Sequence, residues 1–274
     1  MSRFTWLASL VLAFAFFAAR AGEAAQPVRI PIVLKGGLPT VRATIAGQPV
    51  TLVLDAGNYQ VVGLKTAVLG RLPIQFTGDA ESFADADGRL LTSRLFHAEH
   101  LQAGGLVATQ FDGNELAGAH GKAALPADGL IGFGLLGRYQ MVFDEAGGEL
   151  RLYPASVPGV LKAECGNEGG PLRMERGVMV SDVQTELGPL RVQWDSGSAA
   201  SVLRPSAVAG RVKDADLLRR LSFRQFDVAG QPAGAHGFVL RQFQAPDVDA
   251  VLGAGFFSKH IVCLDPSRGR VAFR

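Results

Sequence analysis

Apolar and polar positions alternate with a period near two along much of the chain, in short runs broken by turn residues. The pattern predicts strands over Val28–Leu34, Thr40–Ile45, Val50–Leu54, Leu90–Phe96, Gln140–Phe143 and Leu150–Tyr153. It continues with Val178–Thr185, Leu190–Trp194, Gly237–Phe243, His260–Leu264 and Arg270–Phe273. Between them stand turn signals such as Ala46-Gly47-Gln48, Asp87-Gly88, Gly147-Gly148 and Leu187-Gly188-Pro189. Helical periodicity is scarce, and Pro205–Val212 and Ala215–Leu221 are its best candidates. The expected fold class is all-β.

The 34 glycines and 14 prolines agree with a turn-rich β architecture, and 48% hydrophobic residues supply a large core. Twenty-seven Lys plus Arg against 25 Asp plus Glu leave +2, too balanced for a nucleic-acid binder. The first residues differ from the rest. Arg3 precedes an apolar run from Trp6 to Ala19, followed by small residues around Ala21 and Ala24. That pattern predicts a secretory signal peptide over residues 1–25, since 14 apolar residues are too few to cross a bilayer core of roughly 30 Å. The expected product is an exported protein, periplasmic or secreted, with no membrane segment after cleavage. The short interval before Val28 leaves no expectation of an inhibitory N-terminal propeptide. In an oxidising compartment Cys165 and Cys263 are expected to pair; two small buried hydrophobes are the alternative.

The chain repeats itself. Asp128-Gly-Leu-Ile-Gly132 through Asp144 and Gly148 aligns without a gap on Asp249-Ala-Val-Leu-Gly253 through Asp265 and Gly269, at an offset of 121 residues. Upstream, the hairpin and apolar strand ending in Asp55-Ala56-Gly57-Asn58 answer the hairpin and strand ending in Asp195-Ser196-Gly197-Ser198, at an offset of 140. Two lobes of the same internal order follow, 27–157 and 158–274. An Asp between a strand and a Gly commonly caps its own turn. Two such residues in matched halves suggest instead a pseudo-two-fold pairing that brings Asp55 and Asp195 together. Two carboxyls so placed share one proton: the ionised one can activate a water and the protonated one can donate to a carbonyl oxygen.

With these motifs the chain resembles the two-lobed pepsin-like and retropepsin-like aspartic proteases, whose mark is Asp-Thr/Ser-Gly-Ser/Thr/Ala in each half and an apolar-apolar-Gly segment downstream. Asp195-Ser196-Gly197-Ser198 matches fully, and Leu130-Ile131-Gly132 and Val251-Leu252-Gly253 match the downstream element. The resemblance implies duplicated β-barrel lobes flanking a cleft, and an endopeptidase that hydrolyses a polypeptide with Asp55, Asp195 and one water. It implies no cofactor and no metal, and a monomer, since both lobes lie in one chain. Gly57, Asn58, Ser196, Gly197 and Ser198 are the expected loop supports. Asn58 and Ser198 are expected to donate to the adjacent carboxylates. Ala56 departs from the family, whose hydroxyl at that position bonds to the opposite loop. A catalytically impaired homologue acting as a peptide-binding or assembly protein is therefore the alternative. The family's flap is expected over Ser82–Phe96, turning at Asp87-Gly88 with Phe83 near substrate; Ser222–Phe243 is either a second flap or an ordinary exposed hairpin.

Three other signals point elsewhere and are set aside. Gly132-Phe-Gly134-Leu-Leu-Gly137 fits a dinucleotide-binding glycine pattern, but strand residues resume at Gln140 and leave no room for the required helix. His97-Ala-Glu99-His100 lacks metal-ligand spacing, because His97 and His100 would face opposite ways on a strand. No Gly-x-Ser-x-Gly element or suggestively placed histidine supports a serine hydrolase.

Overall fold

A computed structural model describes residues 26–84, 90–116, 125–212, 220–243, 245 and 247–274. The predicted signal segment 1–25 and the turn with Asp87 and Gly88 lie outside the described residues. Among the described residues no helix is long and apolar enough to cross a membrane.

The architecture is mostly β: two duplicated lobes built on large twisted sheets and a third sheet that joins them. The first lobe's eight-stranded sheet runs in the order Val33–Lys35, Leu38–Ile45, Gln48–Asp55, Gly129–Gly132, Val62–Lys65, Leu106–Leu116, Leu90–Ala103, Gln75–Ala84. A further pairing of Ala43 with Ala103 curls that sheet back on itself. At its centre Gln48–Asp55 lies parallel to Gly129–Gly132, which in turn lies antiparallel to Val62–Lys65. Leu52, Val53 and Leu54 are all buried, which is why this strand reads as a continuous apolar run. The second lobe repeats the arrangement: Gly188–Trp194 lies parallel to Ala250–Leu252, which lies antiparallel to Val202–Leu203.

The joining sheet has six strands, ordered Val28–Pro31, Glu149–Pro154, Tyr139–Asp144, Val262–Asp265, Arg270–Phe273, Gly170–Pro171. Its first three strands belong to one half and its last three to the other. At the junction Val142 pairs with Cys263, its own counterpart at the 121-residue offset, and Met141 and Phe143 pair with Leu264 and Val262 on either side. An antiparallel pair in which a position meets its own equivalent is what a local two-fold axis requires. Cys165, at the end of the helix Val160–Cys165, is disulfide-bonded to Cys263 across 98 residues.

Several sequence expectations need correction. Val28–Leu34 is two strands, Val28–Pro31 and Val33–Lys35, because the chain passes at Ile32 from the joining sheet to the first lobe. Pro205–Val212 forms only a 3-10 turn, Pro205–Ala207. Of Ala215–Leu221, the part described is the start of a strand, Arg220–Phe223, zipped antiparallel to His236–Leu240. Ser222–Phe243 is neither a flap nor an exposed hairpin, since Phe223, Phe226 and Phe238 are buried in the second lobe's core. The strands Gln75–Ala84 and Leu106–Leu116 lack a regular alternation in sequence because polar residues interrupt it.

His236 belongs to this aromatic core, stacked on Phe226 at 5.1 Å between ring centroids and edge-on to Phe238 at 4.9 Å. Its Nε2 lies 2.9 Å from Ser201 Oγ, which also accepts from Gly253 N–H at 3.2 Å. Either tautomer of the His236 ring can meet Ser201 Oγ, Nε2 accepting from it or donating to it. Burial, then the charges of Lys259 and His260, push its pKa down to about 4. The unfolded chain, with a His near 6.5, binds the extra proton first as pH falls. Stability should thus drop between about pH 6.5 and pH 4, by about 3 kcal/mol. Urea unfolding across that interval should show the slope in the native protein and a much smaller one in His236→Gln.

Candidate active site

The strand Gln48–Asp55 ends at Asp55, and the strand Gly188–Trp194 delivers the chain to Asp195. Both then turn through a tight loop held in the same way. Asp55 Oδ1 accepts from Gly57 N–H at 3.1 Å, and Asp195 Oδ1 accepts from Gly197 N–H at 2.9 Å. Asn58 N–H donates to the Asp55 carbonyl at 3.3 Å, and Ser198 N–H to the Asp195 carbonyl at 3.2 Å. Behind the loops, Phe133 N–H donates to Asn58 O at 2.6 Å and Ala254 N–H to Ser198 O at 2.8 Å. Gly132 and Gly253 allow that crossing: a Cβ on Gly132 would lie 2.2 Å from Gln60 O, and one on Gly253 would lie 2.5 Å from Ser198 O.

The two loops meet face to face. A Cβ on Gly57 would lie 2.4 Å from Asp195 Cγ, and one on Gly197 would lie 2.2 Å from Asp55 Cγ. Each glycine leaves the space that the opposite carboxylate occupies. The two carboxyls are within hydrogen-bonding reach of one another, and each retains an edge toward solvent. Burial, then the Asp195 charge, holds Asp55 well above the ordinary carboxyl range, against the pull of the Gly57 and Asn58 N–H groups. Burial also raises Asp195, opposed by hydrogen bonds from Asp55 and from Gly197 and Ser198 N–H. Two carboxyls so close titrate as a coupled pair.

Ser196, fully buried, bridges the lobes: its Oγ accepts from Ala56 N–H at 2.9 Å and donates to Leu54 O at 2.8 Å. Ala56 has no hydroxyl with which to return the bond. A second tether comes from Gln193, whose Nε2 donates to Gly57 O at 3.3 Å; its counterpart at the 140-residue offset, Val53, cannot do the same. Both side-chain tethers therefore run from the second lobe to the first. Ala56→Ser should supply the missing reciprocal bond to Ser196 N–H and Trp194 O. It should raise stability by about 0.5–1.5 kcal/mol, read as a higher melting temperature, and should speed any hydrolysis.

Two side chains act otherwise than expected. Asn58 Oδ1 accepts from Gln60 N–H at 3.0 Å, and Ser198 Oγ donates to Ala200 O at 2.8 Å. The short Asx-type loop bonds satisfy these groups locally, so backbone N–H groups, rather than the Asn58 amide or Ser198 hydroxyl, meet the carboxylates. Phe83 lies on the strand Gln75–Ala84, paired with Leu91 in a hairpin whose other arm, Leu90–Ala103, extends well beyond the expected Phe96. The decoys resolve simply. Phe133–Leu136 makes one helical turn before the strand Tyr139–Asp144, and His97 lies 3.1 Å from Asp112 while His100 is exposed.

Neither protein-family sequence models nor curated protein sequences match this chain. A search of solved structures finds a likeness to basic 7S globulin from soybean, with a TM-score of 0.54 and 12% sequence identity. It covers 90% of this chain and 94% of that one. At this identity the likeness establishes the fold alone, a duplicated pair of β lobes, across nearly the whole chain.

Proposed function

We propose that the protein is an exported aspartic endopeptidase that hydrolyses peptide bonds between its two lobes. One observation carries the reading: Asp55 and Asp195 face each other across two glycine loops, each loop shaped to leave room for the other's carboxylate. A water bound between the carboxyls loses a proton to the ionised one as its oxygen attacks the peptide carbonyl carbon. The protonated carboxyl gives its proton to the carbonyl oxygen, forming a neutral gem-diol. Collapse of the diol breaks the C–N bond, and the amine takes up the proton first removed from the water. One diol hydroxyl returns its proton to the second carboxylate as it becomes the product carbonyl, which restores the pair. The Ser196 and Gln193 tethers keep the two loops in register during these transfers, and small displacements there carry large rate penalties. Export is supported by the segment before Val28 and by the Cys165–Cys263 bond, which belongs to an oxidising compartment.

Ala56 favours a second reading, a cleft that binds peptides without turning them over efficiently. The two separate on one measurement. A pepstatin-like transition-state mimic should bind tightly and block cleavage of an unfolded protein substrate. Peptide binding with no cleavage from acidic to neutral pH would favour the second.

A further inference from the structure

Beside the candidate active site, a cavity of about 470 Å³ opens between the residues that follow Asn58 and the long strands of the first lobe. Its inner wall carries Asn114, which is 97% buried by its 3% exposure, and whose Oδ1 has no partner. The amide orientation is determined by its neighbour. Ser93 Oγ spends its hydrogen on Glu115 O at 2.6 Å, so it can only accept from Asn114 Nδ2 at 3.0 Å. Asn114 must then present its oxygen as a bare acceptor. Gln60, which lines the same cavity, has a second buried oxygen without a partner. Buried acceptors left unpaired are costly, and two on one cavity call for a donor-rich occupant.

The charge around them points the same way. Asp79, Glu81 and Asp112 line the cavity, and no Lys or Arg does. Asp112 Oδ1 lies 3.1 Å from His97 Nδ1. Val61 and Phe96 supply apolar wall. Water could satisfy the oxygens but would not answer the charge. A group with several N–H donors, a positive charge and a methylene stem satisfies all three features, as Arg and Lys side chains do.

Resting on the reading of the cleft as a polypeptide site, we propose that this cavity receives an arginine or lysine side chain of the bound polypeptide, its N–H groups donating to Asn114 and Gln60 and its charge facing Asp79 and Glu81. Tyr59 and Gln60 follow directly on the Asp55–Asn58 loop, so the pocket continues from the segment that carries Asp55.

The test is binding, kept separate from turnover. Fluorescein-labelled decapeptides carrying Arg, Lys, Leu or Glu at one position, scanned along a common background, are titrated into the Asp195→Asn protein. The expected result is at least tenfold tighter binding of Arg or Lys peptides at one position. The Asp79→Asn/Glu81→Gln double variant, altered only at exposed positions, should erase that preference, whereas Glu99→Gln should keep it. Equal binding of all four peptides, a Leu preference, no binding, or a preference that survives the double variant would overturn the proposal. Cleavage of the same peptides by the native protein is scored independently. Cleavage without a basic preference defeats the cavity assignment alone; a basic binding preference without cleavage defeats the peptidase reading alone.

Discussion

Asp195→Asn and Asp55→Asn should each abolish the proposed peptide hydrolysis, by at least about 10³-fold, and should leave a folded protein. The loss follows from chemistry that needs one ionised and one protonated carboxyl on the same water; an amide can serve as neither base nor acid there. The fold should survive because Asn nearly matches Asp in volume and removes a charge that burial already disfavours. A pH series extends the test. Asp55 is raised in the folded state, by burial first and the Asp195 charge second, above its value in the unfolded chain. Its contribution to stability is therefore fully present below about pH 4 and is lost as pH rises through the folded-state value. Asp55→Asn should flatten that decline, seen as a smaller fall in denaturation midpoint toward alkaline pH. Activity of the native protein should be bell-shaped, since both doubly ionised and doubly protonated pairs are inert, and its limbs belong to the pair. Unchanged cleavage by either Asn variant in a purified preparation would sink the mechanism.

Opening the disulfide should produce the largest loss of stability. The bond closes 98 residues, and in the chain-entropy description a loop of that length is worth about 4–5 kcal/mol. For a domain of this size each kcal/mol moves the melting temperature by about 2–4 °C, so Cys165→Ser/Cys263→Ser should melt roughly 10 °C or more below the native protein. The site of the bond adds a structural reason. Cys263 pairs with Val142 at the centre of the joining sheet, and Cys165 ends the helix that packs on that sheet with Val160 and Leu161. Losing the bond loosens the helix from the strand on the two-fold axis. Calorimetry with and without reductant, with the double variant as control, measures the effect; an unchanged melting temperature would show that packing alone holds that junction.

How much was legible in advance differs from residue to residue. The duplicated fold could be read because repeated glycines mark places where backbone and side chain approach too closely for a Cβ, as at Gly132 and Gly253. Such steric demands are local, and they recur at the same offset in both halves. The tether from Gln193 was invisible, since its partner, Gly57 O, is remote in sequence and the repeat holds Val53 instead. The roles of Asn58 and Ser198 were misjudged because short polar side chains bond as readily to their own loop as to a neighbouring carboxylate. The second lobe's hairpin region was misjudged because exposure of alternating strands depends on what packs over them, as Phe223 and Phe238 show.

By itself, then, the order of residues determined the strand-rich class, the two-fold repetition and the two Asp–Gly turns, because turn geometry and alternation are short-range properties of the chain. Only the tertiary structure decided that the turns confront one another, that Val142 meets Cys263 on the axis, and that unpaired oxygens of Gln60 and Asn114 line one cavity. Those arrangements arise from the docking of one lobe, and of one long strand, against another. Electrostatic coupling and desolvation depend on distances across that docking, which no spacing along the chain encodes.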